Sequence, residues 1–170
     1  YGRILRMSTI SDLLINNAHL IILAVGLTFV ILTGGIDLSV GAVIAFTSVA
    51  GVMLYNAGWN GWLVVLVMIA IGGLFGLASG VLIQYFNVQP FIATLAVMFL
   101  TRGLASMLST VPERLPDDAG IRILAAKIKL VDGPKVDDLI ITPGVIIAVI
   151  VVLAAVFVLH RTRMGPDRLR

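Results

Sequence analysis

Chemistry in this chain would have to gather around Asp37, the one acidic residue flanked on both sides by long apolar sequence. It lies in Gly34-Gly35-Ile36-Asp37-Leu38-Ser39-Val40-Gly41, where glycines weaken any helix and a carboxylate and a hydroxyl stand close to the backbone. Such a carboxylate has two uses. It can accept hydrogen bonds from free N–H groups at the start of a helix beginning at Leu38, with Ser39 assisting, or it can meet a polar solute on a pathway. Capping is the expected role. Thr94 and Thr101, two turns apart on one helix face, could line a polar seam or bond only their own backbone. Arg102 lies twelve residues beyond Pro90, about 18 Å along a helix. From there its head group can snorkel to a membrane surface or pair with a loop acid.

Other chemistries lack their residues. The sequence has no G-x-x-x-x-G-K-[ST] phosphate loop and no G-x-S-x-G elbow. It has no cysteine, and His19 and His160 stand apart, so no metal site or thiol chemistry is expected. The chain is not expected to be an enzyme or to bind a cofactor.

The elements that must hold these residues are apolar helices. Of 170 residues, 59% are hydrophobic and only 12% charged, against about 25% charged in a soluble domain. Mean hydropathy is +1.10. A soluble core this apolar would have no surface left for water, so an all-α, polytopic helical bundle in a lipid bilayer is expected. The net charge of +3 comes from basic residues at segment ends, without the aromatic-interleaved patch that nucleic acid requires.

Residues 18–33 are apolar, the glycine–aspartate stretch interrupts, and residues 38–55 resume. Each half is short for a crossing, so either a tight hairpin of two short spans or one broken element follows. In both cases other helices must screen the irregular backbone, because unpaired N–H and C=O groups are costly against lipid. Tyr55, Trp59 and Trp62 surround a turn that marks one membrane surface. Residues 63–83 are the clearest span, 84–89 mark the opposite surface, and Pro90 can open the helix that fills 91–108. Together these make residues 1–17 a polar lead-in and 18–108 a set of membrane helices with short turns. Residues 109–139 form a polar loop, 140–160 a last membrane helix and 161–170 a tail. Within the loop, Ile121, Leu124, Ile128 and Val131 have the spacing of a helix lying on the bilayer, an ordinary loop being the alternative.

Arg161, Arg163, Arg168 and Arg170 put the tail in the cytoplasm by the positive-inside rule, which makes the lead-in and the 109–139 loop extracytoplasmic. Gly72, Gly76 and Gly80 recur every four residues as a smooth stripe, which is expected to serve helix packing rather than chemistry.

The run Gly34-Gly35-Ile36-Asp37-Leu38-Ser39-Val40-Gly41 resembles a signature of the ribose, xylose, galactose and galactofuranose permease family of bacterial ABC importers. Gln89-Pro90-Phe91-Ile92-Ala93-Thr94-Leu95 with Thr101-Arg102-Gly103-Leu104, and His160-Arg161-Thr162-Arg163-Met164-Gly165, match it in the right order. The resemblance implies a multi-pass protein of the bacterial plasma (inner) membrane with about ten spans, of which this chain is a fragment not expected to transport alone. It implies a second permease subunit, identical or homologous, a cytoplasmic ATP-binding subunit that uses ATP, and a periplasmic sugar-binding protein. Gly34, Gly35, Asp37, Ser39, Gly41, Thr94 and Arg102 become candidates for the turn and pathway. Arg161, Thr162, Arg163 and Gly165 become the edge that couples to the ATPase. The rival class is an ion-coupled secondary transporter or channel-like protein, which ordinarily carries several membrane-embedded charges where this sequence has Asp37 nearly alone.

Overall fold

The computed structural model describes residues 7–111, 114–116, 126, 128–131 and 139–161, and the chain divides into two compact units. One unit contains residues 33–121 and the other residues 1–32 with 122–170. Among the described residues, four helices are long and apolar enough to cross a membrane: Ser8–Leu32, Gly61–Gln84, Pro90–Leu108 and Pro143–Arg161.

In the second of these units, α1 (Met7–Leu32) packs against α5 (Pro143–Arg161) and a small hairpin. α1 begins eleven residues ahead of the apolar run, so most of the polar lead-in is helix. The reason is a stripe that composition conceals. Ser11, Leu14, Ile15, Ala18, Ile21 and Ile22 recur at helical spacing, and the last five of them pack in a cluster with Val145, Ala148 and Ile141. Ala18 and Ala148 are small enough to let the two backbones approach. With 25 residues, this span rises about 37 Å, more than a bilayer core of about 30 Å. The expectation that both halves of the interrupted segment are short therefore holds only for the second half.

The hairpin pairs β1 (Ile128–Val131) with β2 (Leu139–Ile141), antiparallel, with Ile128 opposite Ile141 and an irregularity between Lys129 and Val131. The expected helical membrane fold stands, and this short hairpin corrects one detail within it: Ile128 and Val131 lie on a strand rather than a surface helix. Two apolar residues three apart are compatible with either structure, and pairing with Leu139–Ile141 decides it. Ile121 and Leu124 lie outside the described residues. Because β2 takes residues 139–141, α5 starts three residues later than expected, at Pro143, whose missing N–H has no partner in a first turn anyway. The carbonyl of Thr142 accepts from the N–H groups of Val145 (2.9 Å) and Ile146 (3.3 Å). The N–H of Ile140 donates to Ser11 Oγ at 3.0 Å, and this serine, 2% exposed, fastens the hairpin to α1.

The first unit is a three-helix assembly of α2 (Val40–Asn56), α3 (Gly61–Gln84) and α4 (Pro90–Leu108), each packed on the other two. α2 meets α3 through an edge-to-face pair, Phe46 and Phe75, with ring centroids 5.7 Å apart. α3 begins with Asn60, whose Oδ1 accepts from the Trp62 N–H at 2.9 Å. It ends before Asn87, whose positive φ of 52° is a conformation that asparagine tolerates. Pro90 opens α4 as its spacing predicts, and Gln89 offers its carbonyl to the N–H groups of Ile92 and Ala93.

Candidate functional site

The irregular stretch ahead of α2 has a defined geometry. Gly34 turns the chain with φ of +77°, a conformation that side chains disfavour. Asp37 Oδ1 then accepts two hydrogen bonds from one residue, from the Ser39 N–H at 2.8 Å and from the Ser39 hydroxyl at 2.6 Å. The helix therefore starts at Val40, two residues later than expected, and Ser39 holds the cap position with its own φ and ψ already helical. Its side chain donates to the carboxylate rather than capping the helix. Asp37 thus organises the residue that begins α2, and its negative charge near a helix N-terminus is favourable by about 0.3–1 kcal/mol. Ser39 is buried and Asp37 half-buried.

A second tie comes from α4. Thr94 Oγ1 lies 3.1 Å from the carbonyl oxygen of Ile36, 58 positions away. It also lies 3.0 Å from the carbonyl of Pro90 and 3.3 Å from that of Phe91. Ala93, Thr94, Val97 and Thr101 form the buried face of α4. Thr101, 0% exposed, donates only within its own helix, to Val97 at 2.8 Å or Met98 at 3.1 Å. The two threonines do share a face, but only Thr94 reaches out of its helix.

Lengths place this stretch in depth. α2 has 17 residues and so rises about 25 Å from the break to the aromatic turn, against a core of about 30 Å. Thr94 is four residues into α4, about 6 Å from the end marked by Pro90. Both measures put the break roughly one helical turn inside the surface formed by residues 84–89, not at mid-bilayer. At that depth a carboxylate costs less than at mid-bilayer, and the two hydrogen bonds from Ser39 offset part of that cost, so Asp37 can serve as a local organiser.

The remaining candidates disperse. Gly35 lies within the break and Gly41 in the first turn of α2, exposed. Arg102 is exposed on α4, eight residues beyond Thr94, about 12 Å along the axis. A Cβ added at Gly72, Gly76 or Gly80 meets no heavy atom within 4 Å. The expected packing stripe is thus not used against the described residues. The tight glycine is Gly51 on α2, where a Cβ would come within 2.5 Å of Met68 Sδ on α3. Its signal was available as Thr47-x-x-x-Gly51, both buried, a pair of small residues four apart. Ser11 was also missed, because it fell in the polar lead-in. Arg161 ends α5, with its guanidinium carbon 5.8 Å from the Phe157 ring centroid. Thr162, Arg163 and Gly165 lie outside the described residues. Among the described residues no group of His, Asp or Glu is placed to hold a metal ion. Between α1 and α5 a groove of about 170 Å³ is lined by Leu14, Ala18, Ile21, Val145, Ala148, Val149, Val152 and Leu153. It presents only apolar side chains and so offers a polar solute nothing.

Residues 9–167 match the family described as "Branched-chain amino acid transport system / permease component". The chain belongs to this permease family. It is 51% identical to the fructose import permease protein FruG of Bifidobacterium longum (strain NCC 2705), over 97% of this chain and 49% of that protein. It is 39% identical to the inner membrane ABC transporter permease protein YjfF of Escherichia coli (strain K12), over 92% of the chain and 46% of the relative. With the ribose import permease protein RbsC of the same strain it shares 37% identity over 85% of the chain and 43% of the relative. The permease chain therefore spans about half the length of the curated relatives it matches. No solved structure matches it. Family and apolar helices together make it a multi-pass protein of the plasma (inner) membrane.

Proposed function

We propose that this chain is part of the transmembrane subunit of an ATP-binding-cassette importer and helps to form the path of a monosaccharide. The observation that carries this reading is the 51% identity to a fructose import permease across nearly the whole chain. Relatives named for ribose import and for galactofuranose transport support the same substrate class. Three partners follow from it: a cytoplasmic subunit that hydrolyses ATP, a periplasmic protein that delivers the sugar, and a second permease copy or homologue. The chain itself would bind no cofactor. The tail from Arg161 would face the cytoplasm and couple to the ATPase, and the break at Asp37 would lie toward the same side.

An ion-coupled carrier is the rival, and energy source separates the two. The full-length protein, co-expressed with its neighbouring ATPase and binding protein, is expected to take up labelled fructose, ribose or galactose. Uptake should stop when the ATPase is inactivated and persist when ion gradients are collapsed by ionophores. Uptake that survives ATPase inactivation and is abolished by ionophores overturns the proposal.

A further inference from the structure

We propose that the Thr94 hydroxyl is a latch that holds the break ahead of α2 onto α4 and can release it without leaving an unpaired donor. The hydroxyl has one proton and three carbonyl oxygens in reach: Ile36 at 3.1 Å, Pro90 at 3.0 Å and Phe91 at 3.3 Å. Donated to Ile36, the proton ties two segments 58 residues apart. Donated to Pro90 or Phe91, it stays within its own helix and the break is free. Thr47 and Thr101 have only the second option, since their hydroxyls reach only carbonyls of α2 and α4 respectively. The group that changes partner is the Ile36 carbonyl, which lies in irregular backbone and has no helical N–H to fall back on. In a dry surrounding it needs Thr94, which is 2% exposed. Once water reaches the break, the carbonyl has a replacement and the latch opens. Thr94 is thus a positioning residue that makes the attachment of the Gly34–Asp37 stretch depend on local hydration. This inference does not rest on the identity of the transported solute.

The test uses the absence of cysteine from the sequence. A single Ile36→Cys substitution leaves the backbone carbonyl in place and puts a reporter on an exposed side chain. With a nitroxide attached and the full chain in lipid vesicles, the mobile fraction of the spin-label spectrum reads the freedom of the break. Thr94→Val should raise the mobile-to-immobile ratio about three- to tenfold, the weight of one net hydrogen bond. Thr94→Ala should do the same if valine impairs insertion. Thr94→Ser and Thr101→Val should both match the parent. An unchanged ratio in both Thr94→Val and Thr94→Ala overturns the latch. So does Thr94→Ser behaving like Thr94→Val, or Thr101→Val moving the label equally.

Discussion

Two places in the first unit bend the backbone with a glycine at positive φ, and they satisfy their polar groups in opposite ways. At the aromatic turn, Gly58 has φ of +89° and the backbone groups are satisfied locally, with one long contact of 3.4 Å from the Asn56 side-chain amide to the Arg114 carbonyl beside them. Gly58 N–H donates to Tyr55 at 2.9 Å and Trp59 N–H donates to Leu54 at 3.2 Å, the paired bonds of a Schellman end, and Asn60 then caps α3. At the break, Gly34 has φ of +77°, but the groups that follow are held by a carboxylate and by a threonine from a different helix. Residues 56–60 are all exposed, at the level where Trp and Tyr favour the headgroups. Water can complete whatever that turn leaves unpaired. Gly34, Ile36 and Leu38 are exposed as well, but the break lies about one turn deeper, where lipid rather than water meets that surface and the protein must supply the partners itself. Solvent, more than glycine content, decides which bend needs help from afar.

This contrast is sharpest at Asp37. Replacing it by alanine strands both Ser39 donors and should lower the unfolding free energy by about 2–3 kcal/mol, read by denaturant titration in detergent micelles. Asp37→Asn keeps the Oδ1 acceptor and should lose less than half as much. Equal losses for the two would mean that charge, not hydrogen bonding, is what the break uses. Next come the glycines. Gly34→Ala and Gly58→Ala should each cost about 1–2 kcal/mol, because both hold the left-handed region that a Cβ disfavours. A Gly34 variant as stable as the parent in the same titration would break the parallel. Asn60→Ala should have the smallest effect, about 0.5–1 kcal/mol, since water takes over at an exposed cap. A larger loss there would erase the distinction between a wet and a dry bend.

Much of this architecture was legible in the residues. Pro90 announced α4, the aromatic cluster announced the turn, and the apolar blocks announced the spans, because each signal is local. The motif around Asp37 marked the right stretch but not its register. The expected cap used the helix N–H groups from Leu38, whereas the carboxylate takes both donors of Ser39 and the helix waits until Val40. Other features depended on partners distant in sequence. Nothing near Thr94 shows that its hydroxyl meets Ile36, and nothing near Ser11 shows that it meets Ile140. The Gly72–Gly76–Gly80 stripe is a different case. Smoothness makes close packing possible without naming a partner, and the described residues supply none. Ile128 and Val131 failed because four residues are too few to separate a helical period from a strand.

The central claim is that the Gly34–Ser39 stretch is kept from water inside the membrane while the Tyr55–Trp62 turn is not. Single cysteines at Ile36 and at Trp59, in an otherwise cysteine-free chain in sealed vesicles, test it with a membrane-impermeant maleimide. A thiol screened from water stays protonated and unreactive. Cys at position 59 should label from one side, and Cys at position 36 should stay unlabelled from either side until detergent is added. Labelling at position 36 as fast as at position 59 would contradict the account.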